Sequence, residues 1–127
     1  MKIMRLVALF ILSFAALHTA SAVQPVDVSI IQLIATPEKY QGKRVRILAF
    51  LRVEFEGSAV YLHKEDYEQA IHRNGLWIDL PRGISSGKGL TNQYVLVEGV
   101  FDGKQNGHMG LWSGTITDVT RLEPWSR

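Results

Sequence analysis

The stretch Lys43–Phe55, KRVRILAFLRVEF, decides the fold. Val45, Ile47, Ala49, Leu51, Val53 and Phe55 fall at every second position, with Arg44, Arg46, Arg52 and Glu54 between them. A period of two is the signature of a strand with one buried face. Leu48 and Phe50 interrupt the polar face at its centre, so both sides are apolar there. This pattern suits a long curved strand shared between two sheets.

Further strands follow from that one. Gly57-Ser58 reads as a turn and Ala59–Leu62 as the returning strand of a hairpin. Leu76, Ile78 and Leu80 share one side of a short third strand after the Asn74-Gly75 turn signal. In Gln93–Phe101, Val95, Val97 and Phe101 point one way and Tyr94, Leu96 and Val100 the other. Gly99 marks a bulge or a close backbone approach there. Leu111–Leu122 is the last strand, its alternation broken near Gly114.

Two helices complete the pattern. Ile30, Leu33 and Ile34 share a helical face, with Asp27 or Ser29 as cap and Pro37 as terminator or kink. A second helix is expected over His63–Ile71, with Tyr67, Ala70 and Ile71 on one face. Pro81–Asn92, rich in glycine and serine, reads as a mobile surface loop.

Tyr40-Gln41-Gly42-Lys43-Arg44-Val45-Arg46-Ile47 resembles the opening strand of small oligonucleotide/oligosaccharide-binding (OB) domains. Tyr94-Val95-Leu96-Val97-Glu98-Gly99 resembles their fourth strand, and Gly114-Thr115-Ile116-Thr117-Asp118-Val119 their closing strand. The whole is similar to small exported bacterial OB-like proteins. The resemblance implies a mainly β (α+β) domain: an antiparallel five-stranded barrel with an N-terminal helix and one internal helix. It also implies a binding face across the second and third strands and nearby loops, near Tyr61, Trp77 and residues 81–92. Two features depart from the family. Ala49-Phe50 stands where many members bend the strand with glycine, and the internal helix precedes the third strand rather than following it. The N-terminal helix is then free to cover the barrel end.

The N-terminus reads as a signal peptide, residues 1–22. Lys2 and Arg5 precede the apolar run Leu6–Leu17, and Ala20-Ser21-Ala22 supplies the small residues of a cleavage site. The run is shorter than the roughly 20 residues that span a bilayer. Residues 23–127 then form one domain, in the periplasm or secreted. With no cysteine in the 127 residues, disulfides, thiol catalysis, thiolate metal sites and a lipid-modified N-terminus are excluded. Of 14 basic and 12 acidic residues, Lys2 and Arg5 leave with the signal, so the remaining chain is formally neutral. Neutrality removes a general attraction for nucleic acid or anionic membrane.

The candidates for chemistry are sparse. Lys43, Arg44, Arg46 and Arg52 with Phe50, Tyr61 and Trp77 offer cations and rings for a nucleic acid, or the solvated face of a strand. His63, Glu65, Asp66 and His72 lie close together without a metal-ligand spacing, and His108 stands alone. Ser58, Ser85, Ser86 and Ser113 lie in no nucleophile motif. Gly83–Gly89 falls one residue short of a phosphate-binding loop. Glu54 and Glu56 share a face if the strand continues through them. Trp112, beside Gly110, reads either as an exposed anchor for a partner or as a core ring, and Trp125 as a tail residue able to fold back.

The expectation is an exported, non-catalytic binding module that recognises a protein partner, as an inhibitor or accessory subunit of an envelope enzyme. Its binding face is read as Arg46, Arg52, Tyr61, Trp77 and Trp112, with no catalytic residue, cofactor or metal. An OB-type binder of oligosaccharide or single-stranded nucleic acid is the alternative, and a small hydrolase or metal-dependent enzyme the third reading.

Overall fold

The computed structural model describes residues 21–82 and 85–127. The signal-peptide reading, apart from Ser21 and Ala22, and Gly83 and Ile84 of the glycine-rich loop lie outside the described residues. The described residues form six strands: β1 (Val26–Asp27), β2 (Arg44–Arg52), β3 (Ala59–Tyr61), β4 (Gly75–Ile78), β5 (Gln93–Asp102) and β6 (Thr115–Pro124). Three short helices accompany them: α1 (Ile30–Ala35), α2 (Pro37–Tyr40) and α3 (Lys64–Glu68).

Strands β2, β3, β4, β6 and β5 pair in that order, and β5 pairs back onto β2 to close a five-stranded barrel. β1 adds to β2 in parallel at Val45 and Arg46, below the stretch that pairs with β3. The barrel is mixed rather than wholly antiparallel. Directions cannot alternate around a ring with an odd number of strands, so at least one neighbouring pair must be parallel. Here it is β4–β6, with Trp77 opposite Thr115 and Ile78 opposite Ile116.

The alternation read from the sequence sets the interior. Val45, Ile47, Ala49 and Leu51 of β2 meet Val60, Leu76, Ile78, Val95, Val97, Phe101 and Ile116 in one buried cluster. At Gly99 an added Cβ would lie 2.6 Å from Ile116 Cγ2 and 2.8 Å from the Thr117 carbonyl oxygen. That close approach accompanies a bulge in which Glu98–Val100 faces Thr117–Arg121. The break near Gly114 is not a bulge within the strand, because β6 begins only at Thr115; Leu111–Ser113 belong to the preceding loop.

Both barrel ends are stoppered. Ser29 caps α1 with a reciprocal bond to Gln32, and Ile30 and Leu33 drop into the core at one end. At the other, the expected loop contains a 3-10 turn, Ser85–Leu90, whose Gly87 lies against Leu80, Val53 and Leu122. This turn stands between the third and fourth barrel strands, where OB domains usually place a helix.

Three local expectations are corrected. β2 leaves the sheet after Arg52, so Phe55 is exposed rather than inward. α3 ends at Glu68 instead of Ile71: Ala70 adopts φ 54°, and Ile71 is exposed. Leu62 and Leu80 lie just beyond the ladders of β3 and β4, although both pack on the core. Among the described residues, no helix is long and apolar enough to cross a membrane, and every buried side-chain nitrogen and oxygen has a hydrogen-bond partner.

Candidate functional site

A second apolar cluster covers the outer face of β2, β3 and β4. Phe50, Ala59, Tyr61 and Trp112 are its buried members, with Tyr67 and Trp77 packed against them. Tyr61, 2 % exposed, is bonded at its hydroxyl to His72 Nδ1 (3.1 Å) and accepts from Trp112 Nε1 (3.3 Å). Trp112, 5 % exposed, lies against the His72 ring at 4.9 Å with the planes tilted 44° and meets Trp77 edge-on at 5.0 Å. Its carbonyl accepts from Arg73 and from Asn106 Nδ2. Of the two readings open for Trp112, the fold therefore contains the buried ring. Burial raises the Tyr61 phenol above its ordinary pKa.

The five residues read as a binding face separate into three groups. Tyr61 and Trp112 lie inside the cluster and offer no open ring. Arg46 is held on the barrel wall by Glu98 (2.7 Å) and Asp27 (3.2 Å), and Glu98 also accepts from Arg121 (3.0 Å). Arg52 bonds Glu54 (2.9 Å) and Asn92 (2.8 Å), and its guanidinium lies 5.0 Å from the Tyr67 ring centre. Trp77 alone keeps a partly exposed ring on the rim of a cleft.

That cleft, of about 660 Å³, opens between three segments. The β2–β3 turn brings Phe55 and Glu56, the end of β4 brings Trp77 and Asp79, and the β5–β6 loop brings Gln105–His108. Trp77 Nε1 donates to Asp79 Oδ1 at 3.0 Å, which fixes the indole and the carboxylate together. Gly107, at φ 67°, crosses the ring so closely that a Cβ would sit 2.7 Å from Trp77 Cε3. Thr115 Oγ1 donates to the Gln105 carbonyl at 2.9 Å and anchors the loop. Phe55 is 99 % exposed, and Met109, next to His108, is 79 % exposed. The residues lining the cleft include no lysine or arginine.

Phe55, Glu56, Asp79, Gln105 and His108 were not among the residues read from the sequence as a binding face. The one local signal was an aromatic residue within the polar turn Glu54–Ser58.

Five of the catalytic and metal candidates, Asp66, His72, Glu54, Ser58 and Ser113, are drawn into structural bonds. Asp66 accepts from the His63 backbone N–H (3.0 Å) and Asn74 Nδ2 (2.8 Å). His72 serves Tyr61. Glu54 accepts from Arg52 and from the Tyr67 hydroxyl (2.9 Å), and the Arg52 bond holds its carboxyl below the usual range. Because β2 stops at Arg52, Glu54 and Glu56 do not share a strand face. The hydroxyls of Ser58 and Ser113 donate to the carbonyls of Glu54 and Arg73. Among the described residues, no group of three or more histidines and carboxylates gathers around one point. No protein-family model matches the chain, and no curated protein matches it.

Proposed function

We propose that the chain is an exported, non-catalytic binding module that docks a protein partner in the cleft bounded by Phe55 and Trp77. One observation carries this reading: the β2–β3 turn presents Phe55 to solvent at 99 % exposure on the lining of a concavity that the partly exposed Trp77 ring also lines. Exposing such side chains gains nothing for folding, whereas an aromatic ring on a pocket rim is the usual anchor of an interface. The export half rests on the sequence of residues 1–22, with its positive start, apolar run and small-residue site.

Oligosaccharide is the second reading, favoured by the partly open Trp77 indole beside Asp79 and Gln105. Glu56 and Asp79 without a lysine or arginine in the lining work against a polyanionic strand.

The test is in vivo crosslinking of the tagged full-length chain, compared with Phe55→Ser. A single stoichiometric protein retained by the native chain and lost from the variant supports the docking reading. Identical recovery from both refutes the cleft as its site. Mass spectrometry of the recovered chain checks export, the expected N-terminus being Val23.

A further inference from the structure

We infer that the segment entering this cleft presents a cationic side chain, arginine in preference to lysine; the inference rests on the docking reading above and adds the chemistry of the occupant. The barrel wall neutralises its own charges. Arg44 pairs with Asp118, Arg46 with Asp27 and Glu98, Arg52 with Glu54, and Arg121 with Glu98 and Glu123. The cleft does not. Glu56 and Asp79 both line it, and among the described residues neither enters an ion pair. The remaining polar lining is the neutral side chains of Gln105, Asn106 and Thr115, together with His108.

Shape narrows the cation. Asp79 is held through Oδ1 by the Trp77 indole N–H, which leaves Oδ2 as an acceptor next to an aromatic ring. A planar guanidinium can lie against a ring and donate to a carboxylate at the same time, which a compact ammonium does less well. Phe55 then covers the aliphatic stem and its apolar neighbours. Two carboxylates in a concavity also raise the local concentration of a positively charged segment.

The experiment uses the ¹⁵N-labelled chain and acetylated pentapeptides in which leucines flank a central arginine, lysine, citrulline or glutamate. Citrulline keeps the shape of arginine without its charge. The readout is the indole N–H resonance of Trp77 during titration. The arginine peptide is expected to bind about tenfold more tightly than the citrulline peptide. Lysine should fall between them and glutamate should be weakest. Glu56→Gln and Asp79→Asn should each weaken arginine binding several-fold, and together remove its advantage over citrulline. Asparagine at 79 can still accept from Trp77, and Glu56 makes no hydrogen bond among the described residues, so these variants leave the fold in place. Equal binding of arginine and citrulline peptides, with Trp77 still shifting, overturns the cationic occupant and leaves the docking cleft intact. No shift with any peptide overturns both.

Discussion

Phe50 and Phe55 lie five residues apart and should respond to alanine in opposite ways. Phe50 is 2 % exposed, enclosed by Tyr67 at 6.4 Å and Tyr94 at 5.6 Å between ring centres. Removing a buried phenylalanine forfeits its transfer free energy and leaves a cavity, together about 3–5 kcal/mol. With a urea slope of about 1.5 kcal/mol per molar, the unfolding midpoint of Phe50→Ala should fall by roughly 2–3 M. Phe55 is 99 % exposed, so Phe55→Ala removes no packed contact and should change stability by less than about 0.5 kcal/mol. Its midpoint should move by no more than roughly 0.3 M. Urea titration followed by far-ultraviolet circular dichroism reads both. The proposed interface role is read separately, as loss of partner recovery from a fully folded Phe55→Ala chain. A midpoint drop above about 1 M for Phe55→Ala would show that this ring stabilises the fold, and the argument that it is held out for a partner would collapse.

Tyr61→Phe removes the hydroxyl that accepts from Trp112 and bonds His72, and should cost about 1–2 kcal/mol by chemical denaturation. An unchanged midpoint would mean that the two rings find other partners. Gly99→Ala places a Cβ 2.8 Å from a backbone oxygen that cannot swing aside, so a loss of about 1–3 kcal/mol is expected in the same assay. Acid should weaken the fold through Glu54 and Glu98. Arg52 holds the first carboxyl below its ordinary value of 4.5, and Arg46 then Arg121 hold the second. Stability from these pairs is complete above pH 4.5 and declines as pH drops through the lowered folded values. Glu98→Gln should therefore flatten the acid limb of a stability–pH curve, and an unaltered limb would exclude that contribution.

Legibility from sequence followed the range of the interactions involved. β2 and β5 were readable because a ladder enforces a period of two, and their inward sets, Val45 to Leu51 and Val95 to Phe101, are the observed core. Parity misled at Phe55, because it holds only while the ladder continues. Ser58 Oγ accepts from Glu54 N and donates to Glu54 O, and that local loop carries the chain out of the sheet. The helix expected to reach Ile71 was cut short as Ala70 turned left-handed and Ile71 N–H closed onto the Asp66 carbonyl. Trp112 could not be placed locally, since its indole partner Tyr61 is 51 residues away. The cleft was hidden for the same reason: its walls come from residues 55–56, 77–79 and 105–108.

The aromatic cluster also accounts for the position of the cleft. A domain of about a hundred residues buries a smaller fraction of its surface than a larger one does, and without disulfides its interior alone leaves little margin. This chain adds a second apolar layer on the outside of β2, β3 and β4, where OB domains are expected to bind their ligands. Trp112 closes that layer, so Phe50, Tyr61 and Trp112 are buried rings on the expected face. Trp77 and Tyr67 stay partly exposed, and Trp77 lines the cleft with Gly107 and Trp112 holding its ring in place. The proposed docking site accordingly lies toward the loops, where Phe55 can remain exposed without weakening the barrel. The division is testable at Trp112 itself. Trp112→Phe keeps most of the packing but loses the bond to Tyr61, so it should lower stability while the Phe55-dependent partner contact persists. Loss of that contact at full stability would place recognition back on the barrel face.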